Sequence, residues 1–371
     1  MKKAICTAVA LAFVAGGYLA YSTVDSKTAV AVAAKKTYAG TMYVAGMGGH
    51  FAVADLTIDP NNADDPLKVN KLDMIEIGKA KTHPTHDARI DNKDKNTMYW
   101  STYKPDPNNK LHTGKSDLKT GKVITDLVMD IPARATFTGA NYCASGQSEK
   151  YFMPVSMANE GYIDVIDKKT MALKQRVFLD DLGIKAGETT FAHGINTPDM
   201  KKFLLTLNDT PTGHTKWTGG TRLIMLDMAA LEQGKMKKLA EGKITGKPMD
   251  ASGGTITFRQ YFSADGKLLF QSGADRGYVI DAKTLKMINE VTPLPGEAHD
   301  FMPTPDAKYA LLTLRQKAKD FEGKDSTDGT LQLYDVEAKK LVGKPVSVCF
   351  ACHIENKIGK AILCGMDANW K

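Results

Sequence analysis

Residues 298–314, AHDFMPTPDAKYALLTL, decide the fold of this chain. They read as a small residue and a histidine, a short run, a Thr-Pro-Asp turn and then an apolar strand. Residues 192–207 (AHGINTPDMKKFLLTL) and 85–100 (THDARIDNKDKNTMYW) repeat the pattern. Residues 261–273 and 140–155 keep the turn and the strand without the histidine. Two short β-rich runs joined by a Pro, Asp or Gly turn predict a hairpin in each copy.

A second hairpin follows most copies of the first. It is seen in YVIDAKTLKMINEV at 278–291 and in LQLYDVEAKKLVGKPV at 331–346. An aspartate opens the turn in each copy, and the predicted series is Asp55, Asp117, Asp167, Asp227, Asp281 and Asp335. Two hairpins per repeat of 50 to 62 residues make four strands, and no long helical periodicity interrupts them. The sequence therefore predicts an all-β chain folded as a β-propeller.

The two ends of the repeat array predict how the ring closes. Residues 40–55 match residues 266–281 in length and pattern, so the chain enters at the second strand of a blade. The C-terminal piece, residues 353–366, resembles the first two strands of another blade. Six second hairpins plus this piece favour seven blades, with six as the alternative, closed by joining N- and C-terminal strands. The predicted propeller domain spans 38–371.

The run Cys349-Phe350-Ala351-Cys352-His353 is a C-x-x-C-H motif, which predicts covalent attachment of one haem c. Cys349 and Cys352 would bind the porphyrin, and His353 would be the proximal iron ligand. The alternative is a Cys/His metal site that uses Cys364 as a further ligand. Because the chain continues for only 18 residues beyond His353, the preceding repeats must house the haem. The motif falls where a blade begins.

Several residues are candidates for the site around that haem. The distal iron ligand is predicted among Met366, His299, His193 and His86, of which the three histidines occupy equivalent blade-start positions. Such histidines can also be purely structural, bonding neighbouring strands, and a second metal or haem is left open. The arginines that could meet a propionate or a small anion are Arg259, Arg89 and Arg315. The remaining histidines, which fall in turn or loop contexts, are His50, His83, His112 and His214, of which only His50 is of interest. Cys143 and Cys364 are either buried thiols or a disulfide.

The N-terminal segment predicts export. A basic start at Lys2 and Lys3, an apolar run to about Tyr21 and small residues at 29–33 are typical of a secretory signal over residues 1–31. The alternative is an uncleaved membrane anchor, which is the only membrane contact expected. A periplasmic or otherwise exported location agrees with covalent haem attachment. The net charge of +7 is spread along the chain, which suits an acidic redox partner or a small anionic substrate and does not indicate nucleic acid.

The repeated turn-and-strand units over 38–371 resemble the YVTN-type propeller superfamily, which includes the haem-binding domain of d1-type haem nitrite reductases and the propeller of nitrous oxide reductase. The resemblance implies a propeller in a periplasmic redox setting. The chain departs from these families because its haem motif is C-terminal rather than in a separate preceding domain, and because the copper domain of nitrous oxide reductase is absent. No catalytic residue can be carried over from them.

Three functions remain open at this stage. The first is an exported cytochrome that transfers electrons through one haem c. The second is a periplasmic oxidoreductase of a small inorganic anion or nitrogen compound, acting at a haem or metal site over the propeller axis. The third is a haem-carrying subunit that docks a partner on the propeller face. Whether the chain is an enzyme is not decided by its sequence.

Overall fold

Each repeat folds as two hairpins that together make one four-stranded antiparallel sheet. The computed structural model describes residues 34–135, 142–158, 160–210, 216–319, 323–348 and 365–371. Within these, a compact unit spans Lys36–Lys371. The predicted signal at 1–31, the haem motif at 349–353, Cys364 and His214 lie outside the described residues.

The described residues form six blades, and the strands of each are given from the innermost outward. Blade 1 is β24 (Met366–Trp370), β1 (Tyr38–Ala45), β2 (His50–Ile58) and β3 (Leu67–Glu76), and blade 2 is β4 (Thr85–Ile90), β5 (Thr97–Thr102), β6 (Lys110–Asp117) and β7 (Lys122–Asp130). Blade 3 is β8 (Tyr142–Gln147), β9 (Tyr151–Ser156), β10 (Tyr162–Asp167) and β11 (Leu173–Phe178), and blade 4 is β12 (Thr189–Asn196), β13 (Lys202–Asp209), β14 (Gly220–Asp227) and β15 (Lys238–Thr245). Blade 5 is β16 (Thr257–Phe262), β17 (Leu268–Gly273), β18 (Arg276–Asp281) and β19 (Lys286–Val291), and blade 6 is β20 (Glu297–Pro303), β21 (Tyr309–Lys319), β22 (Asp325–Asp335) and β23 (Lys340–Ser347). A 3₁₀ turn (Leu179–Leu182) and a short helix, α1 (Met228–Glu232), complete the described elements.

Six blades confirm the propeller and correct the preferred number of seven. The C-terminal strand β24 pairs antiparallel with β1, in the register Val44↔Met366 to Gly40↔Trp370. The N-terminal piece that lacked a first strand and the C-terminal piece that seemed to begin another blade are therefore one and the same blade. As predicted, the chain enters at the second strand, and closure of the ring joins strands from both ends of the chain in one blade.

Aspartate turns connect the strands of the outer hairpins. The Oδ1 atoms of Asp167 and Asp281 each accept hydrogen bonds from the backbone N–H groups two and three residues further on. The prediction that Asp55 opens the turn of blade 1 is wrong. Asp55 lies within β2, where its carboxylate accepts a hydrogen bond from the Thr41 hydroxyl at 2.6 Å. Asp59 takes the turn position, where its Oδ1 accepts from Asn61 N–H at 3.0 Å.

Apolar faces packed between neighbouring blades form the core. Aromatic pairs cross several of these boundaries: for example, Tyr99 stacks on Phe152 with centroids 4.8 Å apart, Phe270 meets Phe301 at 5.2 Å, and Tyr38 meets Tyr309 at 6.0 Å. The last pair joins blade 6 to blade 1, as does the Tyr38 hydroxyl that donates to Asp306 at 3.0 Å. In the described part of the chain no helix has the length and apolar character needed to cross a membrane.

Candidate functional site around the propeller axis

The innermost strands are irregular close to their first residues. Five of them shift register there, at His86/Ala88, Cys143/Gly146, Thr190/His193, Thr257/Gln260 and Ala298/Asp300. Two residues in or next to these shifts adopt positive φ angles, Asp87 at 70° and Phe191 at 48°. A β-bulge re-aims the side chains around it. The repeated irregularity thus turns polar side chains of several blades toward one another around the axis.

Three histidines from different blades meet there as the sequence predicted. His86, His193 and His299 are at most 2 % exposed and line one cavity of about 200 Å³. The ring centroids of His86 and His299 lie 6.0 Å apart, and Phe258 stacks on His299 at 4.9 Å and meets His193 at 6.3 Å. Arg315 and Glu297, whose side chains are 2.7 Å apart, line the same cavity. Its other lining residues are Tyr103, Met157, Phe191 and Ile256.

Hydrogen bonds fix the orientation of the three imidazoles. His86 Nδ1 is 2.7 Å from the Tyr142 carbonyl oxygen, and His193 Nδ1 is 2.9 Å from that of Phe191. His299 Nδ1 lies 3.2 Å from a carboxylate oxygen of Asp300. Because these partners can only accept, each Nδ1 carries the proton and the Nε2 lone pair stays available. His193 Nε2 is buried and has no hydrogen-bond partner among the described residues.

Burial lowers the pKa of all three imidazoles. Desolvation and the neighbouring His299 hold the pKa of His86 well below its usual range and lower that of His193 to about 3. Desolvation also lowers the pKa of His299, although Asp300 opposes this shift. The three rings are therefore neutral near pH 7, and a neutral imidazole is the form that binds metal ions. The three histidines do not bring their ligating nitrogens within 4.8 Å of one another. In the described residues, one group of three side chains has its ligating atoms that close, and it lies elsewhere.

A buried charge pair lies at the axis beside the histidines. Arg259 and Asp87 are both fully buried and form an ion pair, and the Cys143 thiol also donates to Asp87. Gly365 adjoins this pair: a Cβ atom added there would lie 2.2 Å from Asp87 Oδ1 and 3.0 Å from Arg259 Nη1. No larger residue fits without displacing the pair. Gly365, the first described residue after the predicted haem motif, thus lies against the charge pair.

Met366, the fourth distal-ligand candidate, is anchored apart from the histidine cavity. Its backbone N–H donates to Asp300 Oδ1 at 3.1 Å and its carbonyl accepts from the Tyr261 hydroxyl at 2.6 Å. Its side chain is fully buried in the apolar core with Val44 and Met302, and it does not line the cavity.

The predicted arginines are divided among three places. Arg259 lies at the axis and Arg315 at the histidine cavity. The Arg89 guanidinium lies over the Tyr261 ring at 5.1 Å and lines a different pocket, of about 490 Å³, together with Lys93 and Lys95. His50 is buried as the first residue of β2 and does not line the histidine cavity.

A second polar cluster was missed by the sequence reasoning, which placed His83 and His112 in turns or loops. His112 instead lies in β6, and both imidazoles contact Asp126 of β7. The ligating atoms of these three side chains lie within 4.8 Å of one another, and no other group of three does so in the described parts of the chain. The available signal was the predicted turn at Asp117, which has His112 five residues before it and Asp126 nine residues after it.

No family model and no curated protein sequence matches the chain. Solved structures do resemble it. A protein of unknown function from Bacteroides caccae is 10% identical with a TM-score of 0.51, covering 89% of this chain and 98% of that one. A chain of the nidogen/laminin complex is 12% identical with a TM-score of 0.52, and the match covers 90% of this chain and 98% of that one. Hydrazine synthase of Kuenenia stuttgartiensis is 14% identical with a TM-score of only 0.45, covering 71% of this chain and 65% of that one. These similarities show the propeller fold alone.

Proposed function

We propose that this protein is an exported c-type cytochrome whose propeller carries one haem, bound through Cys349 and Cys352 with His353 as the proximal ligand. Electron transfer to or from another periplasmic protein is its proposed activity. The observation that carries the proposal is the C-x-x-C-H motif itself, placed in the stretch that leads from β23 to Gly365 at the axis. A c-type haem supplies one-electron chemistry at its iron when bound.

The three imidazoles around the axis have the donor chemistry of haem-iron ligands. Three neutral imidazoles with occupied Nδ1 atoms and available Nε2 atoms are suitable donors, and partners on the second nitrogen are typical of metal-bound histidine. The cavity of about 200 Å³ is smaller than ordinary sites for drug-sized ligands, so it suits a ligand side chain or a small molecule rather than the whole porphyrin.

Among the four distal-ligand candidates, we favour a histidine, His193 first. Its Nε2 is buried without a hydrogen-bond partner in the described residues, and such a group normally has one. Met366 is less suitable because its side chain is packed in the apolar core and its backbone is held at both ends.

Covalent attachment is tested by comparing two cysteine variants in protein exported by a host that makes c-type cytochromes. We expect the wild type to carry one haem per chain that survives denaturation, and the double variant Cys349→Ser/Cys352→Ser to lose this covalent haem, because both thiols that would bind it are gone. Cys143→Ser is the matched control and should keep it, because Cys143 lies outside the motif. Covalent haem in the double variant, or zinc in place of iron in the wild type, would refute the proposal.

The distal ligand is tested by EPR and optical spectra of the same preparation. Iron held by His353 and a second strong protein ligand would be six-coordinate and low-spin, and His193→Gln should convert it to a high-spin, ligand-accepting form. Met366→Leu should leave the spectrum unchanged. The reverse result would assign Met366, and unchanged spectra in both variants would direct the search to His86 and His299.

The second candidate function is an oxidoreductase of a small inorganic anion or nitrogen compound. The cavity of about 200 Å³ favours it because it can hold a small molecule, and Arg315, which pairs with Glu297 there, supplies a guanidinium that can bind an anion. High-spin iron in the wild type that binds added nitrite or azide would support this function over pure electron transfer.

A further inference from the structure

The cluster of His83, His112 and Asp126 lies on the outer half of blade 2, away from the axis. His83 precedes β4 in the connection from blade 1, whereas His112 and Asp126 belong to β6 and β7. In the β6–β7 pairing Gly114 is opposite Asp126, so His112 and Asp126 are diagonal neighbours on one face. The sheet register and the connection between blades thus bring three ligating side chains to one point.

The contacts are short and converge on one carboxylate. His112 Nδ1 lies 2.9 Å from Asp126 Oδ2, and His83 Nε2 lies 3.1 Å from the same oxygen. Tetrahedral ligands at about 2.05 Å from a zinc ion lie roughly 3.4 Å apart. The two nitrogens therefore need to move from the carboxylate by only a few tenths of an ångström to admit a cation.

The opposite nitrogen of each ring faces a polar side chain that can orient the ring for a metal. His83 Nδ1 is 2.9 Å from the Thr82 hydroxyl, and His112 Nε2 is 3.6 Å from Asp106 Oδ2. A carboxylate behind an imidazole is the usual second partner of a metal-bound histidine. The buried His112 Nε2 has no hydrogen bond of its own among the described residues, so it is available to donate to Asp106.

The packing around the cluster limits its movement but leaves it accessible. The Trp100 ring meets His83 edge-on with centroids 6.1 Å apart, and Gly78 lies directly against the His83 ring. The His83, His112 and Asp126 side chains keep 14%, 9% and 29% exposure, so an ion can reach them from solvent. Two carboxylates and two imidazoles meet here without a lysine or arginine ion pair in the described residues, which leaves net negative charge when the imidazoles are neutral.

We propose that His83 Nε2, His112 Nδ1 and the Asp126 carboxylate form a binding site for a divalent transition-metal ion of the zinc class, with Asp106 orienting His112. Two imidazoles and one carboxylate suit Zn²⁺, Cu²⁺, Ni²⁺ or Co²⁺ rather than Ca²⁺ or Mg²⁺. The three protein ligands leave a fourth position for water. The ion would join the connection from blade 1 to the outer strands of blade 2, and it is independent of the proposed haem.

The test is a titration of the chelator-treated holoprotein with ZnCl₂ in a calorimeter, repeated with CoCl₂ in a spectrophotometer. We expect one Zn²⁺ per chain at this site and a Co²⁺ absorption typical of four-coordination. His83→Gln and Asp126→Asn should each weaken binding by at least ~100-fold, and Asp106→Asn by ~10–100-fold. Asp73→Asn, an exposed charge-matched control in β3, should leave the affinity unchanged.

Thermal unfolding with and without zinc distinguishes loss of binding from loss of fold. In chelator, His83→Gln should unfold cooperatively like the wild type, and only the wild type should gain stability when zinc is added. Binding of equal strength in wild type and His83→Gln would place the metal elsewhere and overturn the proposal. Absence of wild-type binding below ~0.1 mM would make the cluster a hydrogen-bonded group without a metal.

Discussion

The innermost and the outermost strands of the blades contrast in an unexpected way. Innermost strands β4, β12 and β20 are almost entirely buried although they carry charged and imidazole side chains. Outermost strands carry every large apolar side chain with substantial exposure in the described residues, namely Val123, Ile124, Val128, Leu173, Leu239, Met287 and Ile288. Polar groups are thus buried at the axis, and apolar groups are exposed at the rim.

Such an inversion is expected where side chains serve chemistry rather than packing. Exposed apolar residues are common on protein surfaces and carry little information, whereas a buried polar group costs free energy unless it is paired. The axis concentrates groups of that second kind in Arg259, Asp87 and three histidines. Departures from simple burial rules are expected at functional sites.

The largest expected effect is that of the buried ion pair at the axis. Arg259→Met should lower the free energy of unfolding by about 3–5 kcal/mol, because it leaves the Asp87 carboxylate buried without its partner. Arg315→Met should cost only about 0–1 kcal/mol, since Arg315 and Glu297 are 22% and 42% exposed. Denaturant unfolding of the holoproteins measures both.

A double variant checks the cause of that loss. Arg259→Met combined with Asp87→Asn should recover part of the stability, because the remaining buried charge is gone. If the double variant is less stable than Arg259→Met alone, the ion pair is not the reason for the effect.

An intermediate effect is expected at the ends of the inner strands. Lys168 Nζ lies 2.8 Å from Asp91 and 2.6 Å from Gln147 Oε1, linking blades 2 and 3. Burial raises the pKa of Asp91, but hydrogen bonds from Lys168 and the backbone lower it by more than burial raises it. The net shift of the pKa is therefore downward. Asp91→Asn should cost about 1–2 kcal/mol at pH 7.

The sign of the pH dependence follows from that shift. Because the folded pKa of Asp91 lies below the unfolded value of about 3.9, its contribution is complete above that value and is lost as the pH falls through the folded pKa. The stability gap between wild type and Asp91→Asn should therefore close below about pH 4. Glu241→Gln on outer strand β15, whose partner Lys238 is half exposed, should show almost no gap at any pH. A gap at Asp91 that widens in acid would contradict this account.

The fold was predictable from the sequence because its signals are local. Histidine, turn and strand recur within each repeat, and the register of a hairpin is set by its own turn. The blade number was not predictable in the same way, since the pairing of β24 with β1 joins residues more than 300 positions apart. Two incomplete repeats at opposite ends look the same whether they form one blade or two.

The candidate site was also predictable from the sequence only in part. The convergence of His86, His193 and His299 followed from their equivalent places in the repeat. The groups that hold these side chains in place did not follow from the repeat, because Tyr142 contacts His86 from the neighbouring blade and Asp87 lies in a β-bulge. His83 and His112 were missed for a similar reason: their meeting depends on how one blade connects to the next.

The smallest expected effect tests the rim half of the comparison. Ile288 of outer strand β19 is 52% exposed, so Ile288→Thr should change the free energy of unfolding by no more than about 0.5 kcal/mol. Threonine keeps the β-branched shape that strands favour, which leaves burial as the main difference. Ile90→Thr in inner strand β4 is the matched control; Ile90 is 3% exposed, and burying a hydroxyl there should cost about 1–3 kcal/mol. Equal losses at the two positions, measured by urea unfolding, would mean that the rim is covered in solution and that the contrast between axis and rim does not hold.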